Sequence, residues 1–203
     1  MSEILQAKVF QRKNTVAVAR GLIGQVLARR YADGRETRHV ITETEAYHGE
    51  EDLACHARAG RTARTDVMYR AGGVWYVYLC YGIHEMLNLV TGPEDFPAAV
   101  LIRGVADASG PGRLTKALEI GRALNGLAAT EKSGLWIEEA EGGRGRNGVP
   151  GSRILATARV GVDFAGPEWA GKPWRFVLDG AKTESRKVSR EGRTKVAKGE
   201  AWR

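Results

Sequence analysis

Cysteine is scarce, with only Cys55 and Cys80 among 203 residues. Two thiols cannot build a disulfide framework, and alone they cannot supply a four-thiolate zinc site. A reducing cytosol is therefore the expected compartment. Long apolar runs are lacking too. None approaches the roughly 18 to 20 residues of a membrane span, and Met1–Gln11 lacks the apolar segment of a secretory signal. No membrane partner is expected. Internal repeats and low-complexity segments are absent, and a 43% hydrophobic fraction excludes wholesale disorder. The length fits one domain, or two small ones, with chain enough for a real core.

What is present in excess is positive charge. Lys plus Arg number 31 against 24 Asp plus Glu, a net +7 with a pI near 9.6. A polyanion such as nucleic acid is admitted as a partner but not demanded. The charge is uneven. From Lys182 to Arg203 eight basic residues face three acidic ones, a net +5, which leaves only +2 for the rest. The division expected is a domain over residues 1–181 and a basic, solvated tail over 182–203, available as a loose polyanion tether.

The body reads as α+β. A helix is expected from Asn14 or Thr15 to about Ile23, capped by one of those two side chains. Gln25–Tyr31 and Arg38–Tyr47 read as strands joined at Asp33-Gly34, a hairpin signal. Val74–Cys80, Met86–Thr91 and Ala98–Val105 are further β-rich runs. Arg113–Leu124 has helical spacing of Leu114, Ala117, Leu118 and Leu124. A Gly- and Arg-rich loop follows over Glu138–Pro150, then short strands near Ile154–Val160 and Arg175–Leu178. Strands without regular intervening helices argue against a doubly wound parallel sheet.

Ile41-Thr42-Glu43-Thr44-Glu45-Ala46-Tyr47 is the most informative stretch. On a strand, Ile41, Glu43, Glu45 and Tyr47 share one face. Two carboxylates there, if buried, would repel. Either one is solvated or paired, or the pair belongs to a site; an edge strand with a solvated acidic face is the plain alternative. His48, Glu50, Glu51, Asp52, Cys55 and His56 follow, all metal-ligating types or neighbours of them, but their spacing matches no compact ligand motif, and no metal is expected. Arg58, Arg61 and Arg64 then recur at every third residue. They suit either a solvated loop or guanidinium contacts to phosphate. Five of six tyrosines lie between positions 47 and 81. Tyr76 and Tyr78 share a strand face, and Tyr81 with Gly82 sits where a hairpin must reverse, placed to project outward as a wedge. Asn88 interrupts an apolar run, so its amide must bond either the backbone or a ligand. A carboxylate, stacking aromatics, an amide, a protruding aromatic and a row of arginines together suit an enzyme that extrudes a nucleotide from a duplex.

These residues carry a resemblance. Glu43-Thr44-Glu45-Ala46-Tyr47, Glu51-Asp52, His56, Tyr76-Val77-Tyr78-Leu79-Cys80-Tyr81-Gly82, Asn88, Leu101-Ile102-Arg103 and Gly110-Pro111-Gly112-Arg113-Leu114 resemble the alkyladenine (3-methyladenine) DNA glycosylase family. The order holds from about Val16 to Val105. The match is looser through Ala158-Arg159-Val160-Gly161-Val162 and Pro173-Trp174-Arg175-Phe176. The resemblance implies one compact domain with a curved, mostly antiparallel sheet and flanking helices. It implies Glu45 as the general base for a hydrolytic water and Arg103 as its partner. Tyr47, His56 and Tyr78 would be walls of a base pocket, with Asn88 as its discriminating amide. Tyr81 would intercalate, and Met68 would lie beside it. Arg58, Arg61, Arg64, Met68 and Arg113 are the expected DNA contacts. The implied reaction is hydrolysis of the N-glycosidic bond of damaged purines such as 3-methyladenine, 7-methylguanine, hypoxanthine and ethenoadenine, beginning base excision repair. No cofactor is implied, no lysine is placed for a lyase step, and a monomer acting on double-stranded DNA in the cytoplasm (on the nucleoid, in a bacterium) is expected. Ile83-His84-Glu85 and the acidic loop of residues 92–96 depart from the family pattern, and Glu85 would be unfavourable if it faced phosphate. The rival readings are a nucleic-acid-binding module without catalysis, and a metal-dependent hydrolase using Glu43, Glu45, His48 and His56.

Overall fold

A computed structural model describes residues 3–140 and 153–181. The proposed tail and most of the Gly- and Arg-rich loop lie outside these residues.

The chain opens with a one-turn helix α1 (Ala7–Phe10) and helix α2 (Thr15–Leu22). Asn14 caps α2: its side-chain oxygen accepts the N–H of Ala17 at 2.9 Å, satisfying a donor that the first turn leaves unpaired. Strands β1 (Val26–Arg30) and β2 (Glu36–His48) form the expected hairpin, and Gly34 supplies the positive φ, 84°, that its turn requires. Next come β3 (Trp75–Cys80), β4 (His84–Val90), β5 (Ala98–Val105) and the two-residue β6 (Ala108–Ser109). The last strands are β7 (Leu135–Glu138), β8 (Ile154–Thr157) and β9 (Arg175–Leu178). All pairings are antiparallel, in the order β3-β4-β5-β2-β1-β7, with β6 on β5 and β8-β9 joining β2. The α+β expectation holds.

Two local expectations are corrected. The helix expected over Arg113–Leu124 is α3 (Pro111–Ala117), followed by a separate 3-10 turn at Arg122–Leu124. Proline at the first helical position explains the earlier start, and Glu119 at φ 51° ends the helical path. The apolar spacing survives because Leu114, Leu118 and Leu124 are all buried anyway. Glu138 does not begin a loop. It closes β7, a strand with no alternating pattern to announce it, and its carboxylate accepts from Arg38 and from the Trp136 indole. Helix α4 (Gly166–Gly171) completes the described elements.

Strand β2 organises the molecule. Its first half pairs with β1, while Glu43–Glu45 lies between β5 and β9. It is a central strand and not a solvated edge. Thr44 on one face donates to the carbonyl of Ala19 in α2 at 2.8 Å, so a helix covers that side. A main core of Leu27, Ile41, Trp75, Leu87, Leu89, Val100 and Ile102 packs around α2 and α3. A smaller cluster of Cys55, Ala57, Val67, Met68, Tyr76, Val90 and Ala99 underlies Tyr47 and Tyr78, and a third of Ala54, Val162 and Ala165 supports Tyr47 from another side.

Candidate active site

The two carboxylates of β2 do share a face, as strand alternation demands, despite a bulge between Ile41 and Thr44. Both are buried, Glu43 at 2% and Glu45 at 0% exposure. What makes this tolerable is arginine. Arg103 on β5 donates from Nε to Glu43 at 2.9 Å and sets Nη1 3.5 Å from Glu45. Arg175 on β9 brings its Nε to the same Glu43 oxygen at 2.6 Å. Two carboxylates therefore face two guanidiniums, which offsets most of the desolvation that an isolated buried charge would suffer.

Glu45 has three donors. Val160 N–H reaches Oε1 at 2.8 Å, the Tyr47 hydroxyl reaches Oε2 at 2.9 Å, and Arg103 faces Oε2. A carboxylate offers about four acceptor positions, so room remains for one more donor such as a water. Burial raises the Glu45 pKa above the ordinary carboxylate range, against the lowering effects of Arg103, Val160 and Tyr47; Glu43 adds to the rise. Burial likewise pushes the Tyr47 hydroxyl well above its usual value, helped by the Glu45 charge, so Tyr47 stays a proton donor to that carboxylate.

Aromatic groups gather beside the acid. His56 Nδ1 lies 3.1 Å from the Tyr76 hydroxyl, and its ring meets Tyr78 edge-on at 4.6 Å between centroids. Tyr76 and Tyr78 are 5.3 Å apart. Burial, then Arg64 and Arg58, lower the His56 pKa to about 4. At neutral pH the imidazole is uncharged and does not repel a cationic ligand. Asn88 is buried and donates from Nδ2 to the carbonyls of Tyr76 and Met86 at 3.1 and 3.3 Å. Its nitrogen serves the sheet, which leaves its oxygen as the group for any ligand.

At the hairpin between β3 and β4, Tyr81 is 92% exposed and Ile83 73%. Tyr81 and Gly82 have φ of 50° and 69°, and Ile83 N–H closes the turn on the Cys80 carbonyl at 3.1 Å. Paired positive φ values match the twist of a tight hairpin. The ring of Tyr81 is thus held out into solvent by the turn itself.

The arginines divide. Arg61 is engaged by Asp66 at 2.9 Å and by Asp95, of the acidic loop, at 3.0 Å. Arg64 lies over the Tyr78 ring at 5.1 Å, and Arg58 over Phe164 at 4.9 Å. Neither Arg58 nor Arg64 has a carboxylate within ion-pair distance among the described residues. Arg113 is exposed on α3. Met68 is 2% exposed inside the cluster beneath Tyr47 and Tyr78; it is a packing residue there and offers no surface to a DNA backbone. Glu85 is paired through Oε1 with Arg122 at 3.3 Å, while its Oε2 is buried without a hydrogen-bond partner among the described residues.

The donors of the metal-hydrolase reading are not brought together. Glu43 and Glu45 face arginines, His48 bonds Thr15, and His56 bonds Tyr76. Burial raises the Cys55 thiol to about 12, far from a thiolate.

Sequence reasoning assigned no role to Asp52, Arg159 or Arg175. Arg159 is wholly buried and grips Asp52 with both Nη atoms, at 2.5 and 2.9 Å, while also donating to the carbonyls of Ala46 and Trp169. Its guanidinium lies 4.9 Å from the Tyr47 ring and 5.1 Å from that of Trp174. It fixes Tyr47 from behind and holds in place the segment whose next residue, Val160, caps Glu45. Asp52 and Arg159 are 107 positions apart, so no local pattern announces the pair.

Comparison with known proteins identifies the family. A family model described as methylpurine-DNA glycosylase matches residues 8–182. A protein of Anaeromyxobacter sp. (strain Fw109-5) is 43% identical over 187 residues, covering 89% of this chain and 92% of its own. One from Psychrobacter cryohalolentis is 41% identical, covering 83% of this chain and 90% of its own. One from Borreliella afzelii is 38% identical, covering 88% and 98%. The names of all three include the words 3-methyladenine DNA glycosylase. With the match running through every element that carries these residues, the chain belongs to the methylpurine-DNA glycosylase family and is a DNA glycosylase.

Proposed function

We propose that the protein extrudes a damaged purine from duplex DNA and hydrolyses its N-glycosidic bond with a water activated by Glu45. The observation that carries this reading is the buried Glu45 carboxylate, held by Val160, Tyr47 and Arg103 with one acceptor position to spare, beside a group of tyrosines. Bond cleavage develops positive charge on the sugar, and a fixed carboxylate stabilises that charge while taking the proton of water. A raised pKa brings the base closer to working pH. Arg103 keeps the carboxylate ionised and oriented.

Tyr47 and Tyr78 are the stacking walls. A cationic alkylated purine gains on the order of 0.5 to 2 kcal/mol from such faces, and the neutral His56 does not oppose it. The Asn88 oxygen reads the base edge. Tyr81 fills the vacated stack. Arg58, Arg64 and Arg113 contact phosphates, and Arg64 leaves the Tyr78 ring to do so. Arg61, doubly ion-paired, contributes least. The substrates are purines of the 3-methyladenine, 7-methylguanine, hypoxanthine and ethenoadenine class. The enzyme acts as a monomer, without metal, cofactor or lyase step, on cytoplasmic or nucleoid DNA.

The test is release of free base under single-turnover conditions from duplexes carrying each of these lesions. Glu45→Gln is expected to bind lesion DNA and to lose excision by about 10²-fold or more. Undiminished excision would remove Glu45 as the base.

A further inference from the structure

Five large apolar side chains stand more than two-fifths exposed among the described residues: Tyr81, Ile83, Phe164 at 63%, Leu53 at 46%, and Leu127 at 43%. Leu127 stands apart. Tyr81 and Ile83 form the hairpin tip that extends from the Tyr78 strand. Leu53 and Phe164 meet at Arg58, whose Nη1 donates to the Leu53 carbonyl at 2.8 Å and whose guanidinium covers the Phe164 ring at 4.9 Å. Their chain neighbours Ala54, Val162 and Ala165 are buried as the cluster on which Tyr47 packs. Each tyrosine wall of the site thus leads outward to its own exposed apolar projection, Tyr78 to Tyr81 and Tyr47 to Phe164.

We infer that Phe164 and Arg58, with Leu53 beside them, form a second DNA-docking surface that grips the strand beside the extruded nucleotide, independently of the Tyr81 hairpin. This rests on the reading of the site as a base-extruding glycosylase. Phe164 packs against the sugar and base edge of the neighbouring nucleotide, and the free N–H groups of Arg58 take the adjoining phosphate. Three observations favour DNA over a protein as the occupant. Arg58 has no carboxylate partner among the described residues, while Arg61, three positions on, has two. Stacking on Phe164 and the bond to Leu53 fix the guanidinium plane, which suits the fork to phosphate oxygens. Two side chains are too little apolar surface for a stable protein interface, which buries about 1,200 to 2,000 Å². An exposed aromatic ring beside an unpaired cation is the pairing that a sugar–phosphate chain complements.

The experiment measures binding of full-length protein to an undamaged duplex and, in the Glu45→Gln background, to a duplex with one 7-methylguanine. Phe164→Ala is expected to weaken both by about 5- to 50-fold, with no change in melting temperature or in the salt dependence of binding. Phe164→Tyr should bind like the parent. Arg58→Ala should reduce the salt slope by about one. Losses from Phe164→Ala and Tyr81→Ala should multiply, as expected of separate contacts. Phe164→Ala binding within twofold of the parent on both duplexes overturns the inference. So does a changed self-association of Phe164→Ala with unchanged DNA binding, because the patch would then serve a protein. Base release by the wild-type protein is measured alongside. If it is absent, the glycosylase reading of the site fails; if it is present and Phe164→Ala is silent, only the docking surface falls.

Discussion

Tyr81 is unfavourable twice over. A large ring sits 92% in solvent, and its φ of 50° is one that side chains other than glycine adopt at a cost. Nothing in the fold needs the ring. Tyr81→Gly is therefore expected to raise the melting temperature slightly, with strain relief outweighing glycine's extra freedom when unfolded, while weakening lesion binding and excision. Unchanged excision would remove the wedge role. Glu45 follows the same logic. Its folded pKa is raised above the unfolded value, so the protonated form is the one the fold prefers. That preference stabilises the protein below the unfolded pKa and is lost as pH rises through the folded one. The stability of Glu45→Gln relative to wild type should accordingly fall as pH drops from 7 towards 4, as thermal melts across pH would show. The residues proposed to act are those that weaken the fold, the usual relation between activity and stability.

At the scale of elements, the site depends on β2 lying between β5 and β9. Each neighbour contributes one guanidinium to the acidic face, Arg103 and Arg175, and the loop before Arg175 contributes Val160. The charged groups facing Glu45 are Arg103 and Glu43, with the Tyr47 and Tyr78 hydroxyls beside them. Arg103 lowers its pKa and Glu43 raises it. Arg103→Met should move the acid limb of the excision rate to higher pH. Glu43→Gln should move it to lower pH, by removing a like charge and leaving Arg103 free to face Glu45. Both variants break a buried pair and should lose stability on the order of 3 to 5 kcal/mol. Single-turnover rates across pH, measured well below the melting temperature, check the signs; shifts in the same direction would contradict this account.

Across the whole molecule the net charge says little about the site. Residues before Lys182 carry only +2. Many of their cations are committed, Arg61 to two carboxylates, Arg122 to Glu85, Arg38 to Glu138 and Arg159 to Asp52. Most of the net positive charge, +5, lies in residues 182–203. Deleting them should flatten the salt dependence of duplex binding and leave single-turnover excision at saturating enzyme unchanged. An identical salt slope would show that the segment takes no part. No helix among the described residues is long and apolar enough to cross a membrane.

The start of α2 at Asn14 or Thr15, the Gly34 hairpin and the common face of Glu43 and Glu45 were determined by sequence alone, because each depends on neighbours along the chain: a capping oxygen, a residue free to take positive φ, alternation. The outward position of Tyr81 was legible for the same reason. Strand β7 was not, since four fully buried residues show no alternation. Nor was the end of α3 at Ala117, where apolar spacing continues past the helix. Tertiary structure alone decided that the acidic strand is central, that both of its carboxylates are paired, and that Arg159 meets Asp52 across 107 positions. It also decided that Met68 faces inward, that Arg61 is already engaged, and that Arg58 finds Phe164. The physical reason is one of range. Local conformation follows from residues a few positions apart, whereas the state of a buried charge is set by whichever distant side chains the sheet brings within about 3 Å of it.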